Sequence, residues 1–119
     1  MQLGHGPPIR REDLFGGTGV VLVWNLLAGR AAAPFTSVLA CELAEGGRVG
    51  RHVQQRDAEI VIGLEGCGEA RVDGKPIPFG PGAVVHLPFG SSLELVNERS
   101  DAPLRYLIVK ATSSVPGPK

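Results

Sequence analysis

Three polar side chains near the middle of the chain are candidates for one shared chemical site. His52 and Gln54 are two residues apart, so on a strand their side chains leave the same face, and Glu59 begins the next predicted strand. Imidazole and carboxylate groups are good ligands for a divalent cation, whereas an amide oxygen is a poor one. The trio is therefore a candidate metal site, in which Gln54 is better suited to orienting a small molecule by hydrogen bonds.

Two members of the trio, Glu59 and His52, also have other interpretations. Glu59 could pair with a nearby arginine at the protein surface, and His52 could be a partly buried polar group without a metal. Glu59 could instead act as a general acid or base beside His52, because burial in an apolar cavity would raise the pKa of its carboxyl group. The residues alone leave these alternatives open.

Length and charge narrow the classes of partner. The chain has 119 residues, with 12 Lys and Arg against 12 Asp and Glu, which fits one domain of zero formal charge. That balance removes the electrostatic attraction to nucleic acid or an anionic membrane, and it favours self-association. No apolar run is long enough to span a bilayer, and the first residues lack the pattern of a secretory signal. We therefore expect a soluble cytoplasmic protein without nucleic-acid or membrane partners.

Glycine and proline, 17 and 10 residues respectively, separate many short apolar blocks. This pattern is typical of an all-β sandwich or barrel, and no segment carries a sustained helical period. Asp73-Gly74 lies between two such blocks and predicts a two-residue hairpin. The predicted strands are Val20–Leu27, Phe35–Leu43, Arg51–Gln54, Ala58–Leu64, Glu69–Val72, Ile77–Phe79, Ala83–Leu87, Leu93–Asn97 and Pro103–Lys110.

These strands predict one barrel domain over residues 20–111. A Gly/Pro-rich N-terminal arm precedes it over residues 1–19, with one helical turn at most over Arg10–Phe15, and a C-terminal tail follows over residues 112–119. No internal repeat or linker divides the chain.

The predicted strand Ala58–Leu64 is apolar on both faces. Ile60, Ile62 and Leu64 share one face, while Val61 lies on the other. Strands that are apolar on both faces are usually covered on both faces, and a small sandwich covers only one. The second face needs another layer, most simply a second subunit, so the sequence predicts a homodimer.

The spacing around the polar trio resembles two motifs of the cupin family. The first motif reads Gly, five residues, His-x-His, three or four residues, Glu, six residues, Gly; the matching positions are Gly46, His52, Gln54, Glu59 and Gly66. The second reads Gly, five residues, Pro-x-Gly, two residues, His, three residues, Asn; the matching positions are Gly82, Pro88, Gly90, Leu93 and Asn97. The resemblance covers roughly residues 36–110 and implies an all-β double-stranded β-helix of the jelly-roll type, with few or no helices.

Two of the metal-ligand positions that the resemblance implies carry other residues. Metal-binding cupins use two His and the Glu of the first motif with the His of the second, where this chain has Gln54 and Leu93. Leucine cannot ligate, and catalytic zinc sites commonly need three good protein ligands. We therefore expect no metal, or a weakly bound Zn, Fe, Mn or Ni ion at His52, Gln54 and Glu59. His86 could supply a replacement imidazole if it faces the cavity; otherwise it packs between its apolar neighbours.

Two functions follow from the resemblance. The first is binding of a small molecule in the barrel cavity, with Leu93 enlarging the apolar part and His52, Gln54 and Glu59 as polar anchors, joined by His86 if it faces inward. The alternative is a cupin-type metalloenzyme with an altered centre built from the same polar residues. Such an enzyme would be a dioxygenase, isomerase, cyclase or lyase acting on a small organic substrate.

Overall fold

The structure is a computed structural model that describes residues 3–112. Within this range it has ten β-strands and one short 3-10 turn over Leu14–Gly16. The strands are β1 (Ile9–Glu12), β2 (Val20–Asn25), β3 (Phe35–Leu43), β4 (Arg48–Val53), β5 (Asp57–Glu65), β6 (Gly68–Val72), β7 (Lys75–Phe79), β8 (Val84–Leu87), β9 (Ser92–Asn97) and β10 (Leu104–Thr112). The all-β prediction is confirmed. Within the described range, no helix is long and apolar enough to cross a membrane.

The strands form two antiparallel sheets that face each other. One sheet has six strands in the order β1-β2-β3-β10-β5-β8, and the other has four in the order β4-β9-β6-β7. Strands distant in sequence are neighbours in space, as β3 and β10 are, which is the connectivity of a jelly roll. The predicted double-stranded β-helix is therefore confirmed.

The alternation of side chains along β5 determines what faces the core. Glu59 and Val61 point inward and are buried, whereas Ile60 and Leu64 point outward and are each 39% exposed. The other inward-facing residues form the core between the sheets. The largest fully buried side chains include Leu43, Phe79, Leu87, Leu93, Leu95, Leu104 and Tyr106.

The hairpin between β6 and β7 has the predicted two-residue turn. Val72 pairs with Lys75, and the two residues between them have positive φ angles, 50° at Asp73 and 81° at Gly74. Positive φ at both central positions is the requirement of the type I′ turn that favours Asp-Gly. Asp73 Oδ1 also accepts a hydrogen bond from the Ser92 N–H at 2.9 Å, which ties the turn to β9.

The N-terminal arm contains an edge strand. Ile9–Glu12 pairs with β2, and one short 3-10 turn follows at Leu14–Gly16. Gly50 allows this segment to lie close to β4, because a Cβ at Gly50 would stand 1.9 Å from the carbonyl oxygen of Phe15. Most of the predicted C-terminal tail, residues 113–119, lies outside the described residues.

Candidate functional site

A cavity of about 440 Å³ lies between the two sheets, and strands of both sheets line it. Its volume is within the range of small-molecule sites, which combine a mostly apolar wall with a few polar groups. The apolar wall includes Val21, Val23, Leu39, Val49, Leu93, Leu95 and Ile108. The polar lining groups are Arg11, Asn25, Cys41, His52, Glu59, Tyr106 and Lys110.

His52 lines the cavity from β4, as the sequence predicts. Its Nδ1 lies 3.2 Å from the carbonyl oxygen of Gly50, to which it donates when it carries the ring proton. Burial lowers the pKa of the imidazole, and the charge of Lys110 lowers it further, while the Gly50 carbonyl opposes both. These effects favour a neutral ring, whose second nitrogen can accept a hydrogen bond when Nδ1 is protonated.

Phe15 covers His52 on one side. The two rings are stacked, with centroids 4.1 Å apart and planes inclined by 15°. Both residues also line a surface groove together with Arg51, Val53 and Gln55. The stacked pair therefore forms a wall between the cavity and the outside, and its outer member, Phe15, is 58% exposed.

Glu59 is the acidic group of the cavity. Only 3% of the residue is exposed, and its Oε1 lies 3.8 Å from Nζ of Lys110, its register partner on β10. Its Oε2 has no hydrogen-bond partner among the described residues. Burial raises the pKa of the carboxyl group, and the positive charge of Lys110 partly opposes that rise.

Leu93 lies directly opposite His52 in the pairing of β9 with β4. It is 2% exposed and lines the cavity, so the structure brings Leu93, His52 and Glu59 into one lining, as expected. The position where the resemblance implies an imidazole thus presents methyl groups to the cavity.

Gln54 does not line this cavity. β4 carries an irregularity between Val49 and His52 and ends at Val53, so Gln54 belongs to the connection that follows the strand. Its backbone N–H donates to the carbonyl oxygen of Ser91 at 2.9 Å. The side chain is buried, and its Nε2 has no partner within residues 3–112.

The structure corrects the expectation for His86. This residue lies on the outer face of β8 and is exposed, because its neighbours Val85 and Leu87 occupy the inner face and are buried. Its register partner Ile60 also points outward. The imidazole is therefore outside the cavity and is not a replacement ligand beside His52.

The residues at the implied metal positions do not fit a resident transition-metal centre. Of those four positions, only His52 and Glu59 place a metal-binding side chain in the cavity wall. Across residues 3–112, no group of three or more His, Cys, Asp or Glu side chains is arranged to hold an ion. The ammonium group of Lys110 beside Glu59 would also repel a second cation.

Cys41 and Tyr106 form a second polar pair in the wall. They are register partners on β3 and β10, and both are buried. Burial, followed by the charge of Glu59, raises the pKa of the Cys41 thiol to about 12, although Tyr106 and Lys110 oppose the rise. Burial likewise raises the pKa of the tyrosine hydroxyl. Since the thiolate is the nucleophile, a raised pKa makes this thiol less reactive.

Sequence reasoning missed Lys110 and Phe15 as site residues. Tyr106, Ile108 and Lys110 alternate along β10 and all line the cavity, so strand parity would have found the lysine. Phe15 carries no such signal, because its contact with His52 depends on the fold of the 3-10 turn against β4.

The cupin family, described as "Cupin domain", matches this chain over residues 39–110, which is more than half of its length. The chain therefore belongs to the cupin family, as the resemblance of its motifs implies.

Several solved structures are similar to this fold. A predicted oxalate decarboxylase from Thermotoga maritima is 28% identical, with a TM-score of 0.84, over 91% of this chain and 94% of that one. A cupin 2 conserved barrel domain protein from Salinispora arenicola is 30% identical, with a TM-score of 0.67, over 78% and 76% of the two chains. A sugar phosphate isomerase from a cupin superfamily, from Silicibacter pomeroyi, is 22% identical, with a TM-score of 0.64, over 76% of this chain and 59% of that one. At this identity, the similarity shows the fold alone. No curated protein sequence matches the chain.

Proposed function

We propose that this cupin binds a small organic molecule in its barrel cavity without a resident metal ion. The observation that carries the proposal is that Leu93 is the register partner of His52 on the neighbouring strand of the cavity wall. Leucine at this position removes an imidazole ligand and adds apolar surface to a cavity large enough for a small molecule.

The distribution of polar groups supports the same function. His52, Glu59 and Lys110 meet the cavity from three different strands, while most of the remaining wall is apolar. Apolar contact supplies free energy of binding, and a few polar groups on rigid strands supply orientation. This division between apolar wall and polar anchors is typical of a site that recognises an organic ligand.

The second candidate function is catalysis by a weakly held metal. It is favoured by the similarity to a structure described as a predicted oxalate decarboxylase and by the presence of His52 and Glu59 at two ligand positions. A Lewis acid would then polarise a bound organic substrate. The charge of Lys110 argues against it, because a cation bound at Glu59 would lie close to a fixed ammonium group.

A ligand screen distinguishes the two functions. Protein is heated with small organic acids, alcohols and sugars, each with and without EDTA, and a ligand that binds only the folded state raises Tm. The proposal expects ligands that raise Tm equally in both conditions and shift amide NMR signals of Val23, Leu95 and Ile108. Stabilisation only by divalent metals, or ligand-induced shifts confined to the outer surface, would overturn it.

A matched pair of variants tests the location. Ile108→Phe adds bulk inside the cavity, and Val109→Phe adds the same ring to the opposite face of β10, where Val109 pairs with Ile60. The first variant should lose affinity for any ligand found in the screen, while the second should retain it. Equal loss in both variants would contradict binding in the cavity.

A further inference from the structure

One carboxylate oxygen in the cavity wall is left without a donor. Oε2 of Glu59 has no hydrogen-bond partner within the described range, although the residue is nearly fully buried and lines the cavity. Leaving a buried acceptor without a partner costs free energy, and for a charged group the cost is larger. A ligand that brings an O–H or N–H group to Oε2 would remove this cost.

Lys110 provides a cationic contact next to that oxygen. Its side chain is 36% exposed, and its Nζ lies 3.8 Å from the other oxygen of the same carboxylate. An ammonium group has three donors, of which a single oxygen at this distance takes at most one. The remaining donors can serve an anionic group on a ligand, and charge-assisted hydrogen bonds are stronger than neutral ones.

The charged side chains of the lining favour an anion as the ligand. Arg11 and Lys110 place two cationic side chains in the lining against one acidic side chain, Glu59. A ligand with one negative charge complements this balance, whereas a second carboxylate beside Glu59 would be repelled.

We propose that the cavity binds a small monocarboxylic acid with a hydroxyl group next to its carboxylate. The hydroxyl donates to Oε2 of Glu59, the carboxylate accepts from Nζ of Lys110, and the rest of the molecule packs on Leu93 and Leu95. This inference rests on the proposed function and names the chemical class of its ligand.

Two matched ligand series test the assignment. Mandelate, phenylacetate and benzyl alcohol form one series, and 2-hydroxyhexanoate, hexanoate and 1-hexanol form the other. Each is titrated into the EDTA-treated chain at pH 7 by calorimetry. In at least one series, the affinity of the hydroxy acid should be about ten times or more that of the acid without the hydroxyl and that of the alcohol without the carboxylate.

Two nearly isosteric variants assign the contacts. Lys110→Met should weaken binding of the hydroxy acid about tenfold or more while leaving the alcohol unchanged. Glu59→Met should reduce the hydroxy acid to the affinity of the acid without the hydroxyl. Lys75→Met, on an exposed residue outside the cavity, is the matched control and should change nothing. Should Glu59→Met fail to fold, the ligand series and Lys110→Met still decide the matter.

The outcomes separate this inference from the proposed function. If an alcohol or the simple acid binds in the cavity as tightly as the hydroxy acid, the ligand class is wrong and small-molecule binding stands. If no member of either series binds, the ligand class is wrong, and the thermal screen alone then decides the proposed function. Equal binding of the hydroxy acid by wild type and Lys110→Met would also overturn the assignment.

Discussion

Nζ of Lys110 lies 3.8 Å from Oε1 of Glu59, and both side chains line one cavity. The register of β10 with β5 places the two residues directly opposite each other. A fixed positive charge thus stands beside the glutamate that the cupin motif implies as a metal ligand. This pair makes a polar organic ligand a better match for the cavity than a second cation.

Restoring an imidazole at position 93 should create affinity for a divalent metal. Leu93→His would place a ring opposite His52, and we expect its affinity for Zn²⁺ or Mn²⁺ to exceed that of wild type by about tenfold or more. Leu95→His, also in the cavity wall but opposite Val49, is the control and should gain less. Calorimetric titration measures both; tight stoichiometric binding by the wild-type chain would contradict the prediction.

Glu59 should make stability depend on pH in a defined direction. Its pKa is raised in the folded state, mainly by burial, so the folded chain holds this proton more tightly than the unfolded chain. The stability that this proton contributes is present at low pH and is lost as pH rises through the folded pKa. The free energy of unfolding of Glu59→Gln, compared with that of wild type, should therefore increase as pH rises from 4 to 8. Urea unfolding at several pH values measures the difference, and a flat or opposite trend would count against it.

Removal of Phe15 should raise the pKa of His52. Burial is the main cause of the lowered pKa, and the stacked Phe15 ring covers one side of the imidazole. Phe15→Ala should admit water to that side and return the imidazole pKa toward its ordinary value. Phe89→Ala, another exposed phenylalanine, is the control. Histidine NMR titration reads the result, and an unchanged His52 signal in Phe15→Ala would show that the stack is not what buries the ring.

Asn97, the asparagine of the second motif, should be important for stability. Its side-chain amide donates to the carbonyl oxygens of Leu43, Ala44 and Ala102, and its Oδ1 accepts a hydrogen bond from the Arg99 N–H. Because Asn97 is buried, Asn97→Ala leaves these groups unsatisfied and should lower the free energy of unfolding by about 3 kcal/mol. Asn25→Ala, on an exposed asparagine, should cost much less. Denaturant unfolding compares the two, and equal losses would contradict this role.

A second copy of the chain should cover the outer face of the six-stranded sheet. Val84 is 64% exposed there, with Ile60 and Leu64 at 39% each, and zero net charge offers no repulsion between copies. We expect a dimer in analytical ultracentrifugation at micromolar concentration, and a monomer for Ile60→Lys. Ile77→Lys, on the other sheet, should remain dimeric. A monomeric wild type would contradict the expectation.

Much of the fold follows from local patterns that a single sequence contains. The boundaries of Phe35–Leu43 agree with the structure at both ends, and Asp73-Gly74 forms the expected turn. Strand parity places Glu59 and Val61 on the same face of β5, and in the structure that face points inward. These features depend on turn chemistry and on a period of two residues, and both can be recognised without tertiary contacts.

The site was less predictable because small irregularities change which way a side chain faces. The irregularity in β4 between Val49 and His52, and the end of that strand at Val53, separate Gln54 from the lining that His52 shares. Whether His86 faces the cavity depends on which set of alternating residues in β8 points inward. Because the other residues of this strand are all apolar, the sequence did not reveal that direction. Phe15 reaches His52 only through the tertiary fold of the N-terminal segment.

Titration of chelator-treated protein with mandelate and 2-hydroxyhexanoate, repeated after addition of Mn²⁺, Fe²⁺ or Zn²⁺, tests metal-independent binding most directly. We expect at least one of the two acids to bind without metal, with an affinity that does not change when metal is added. Binding that appears only after metal is supplied would contradict metal-independent binding.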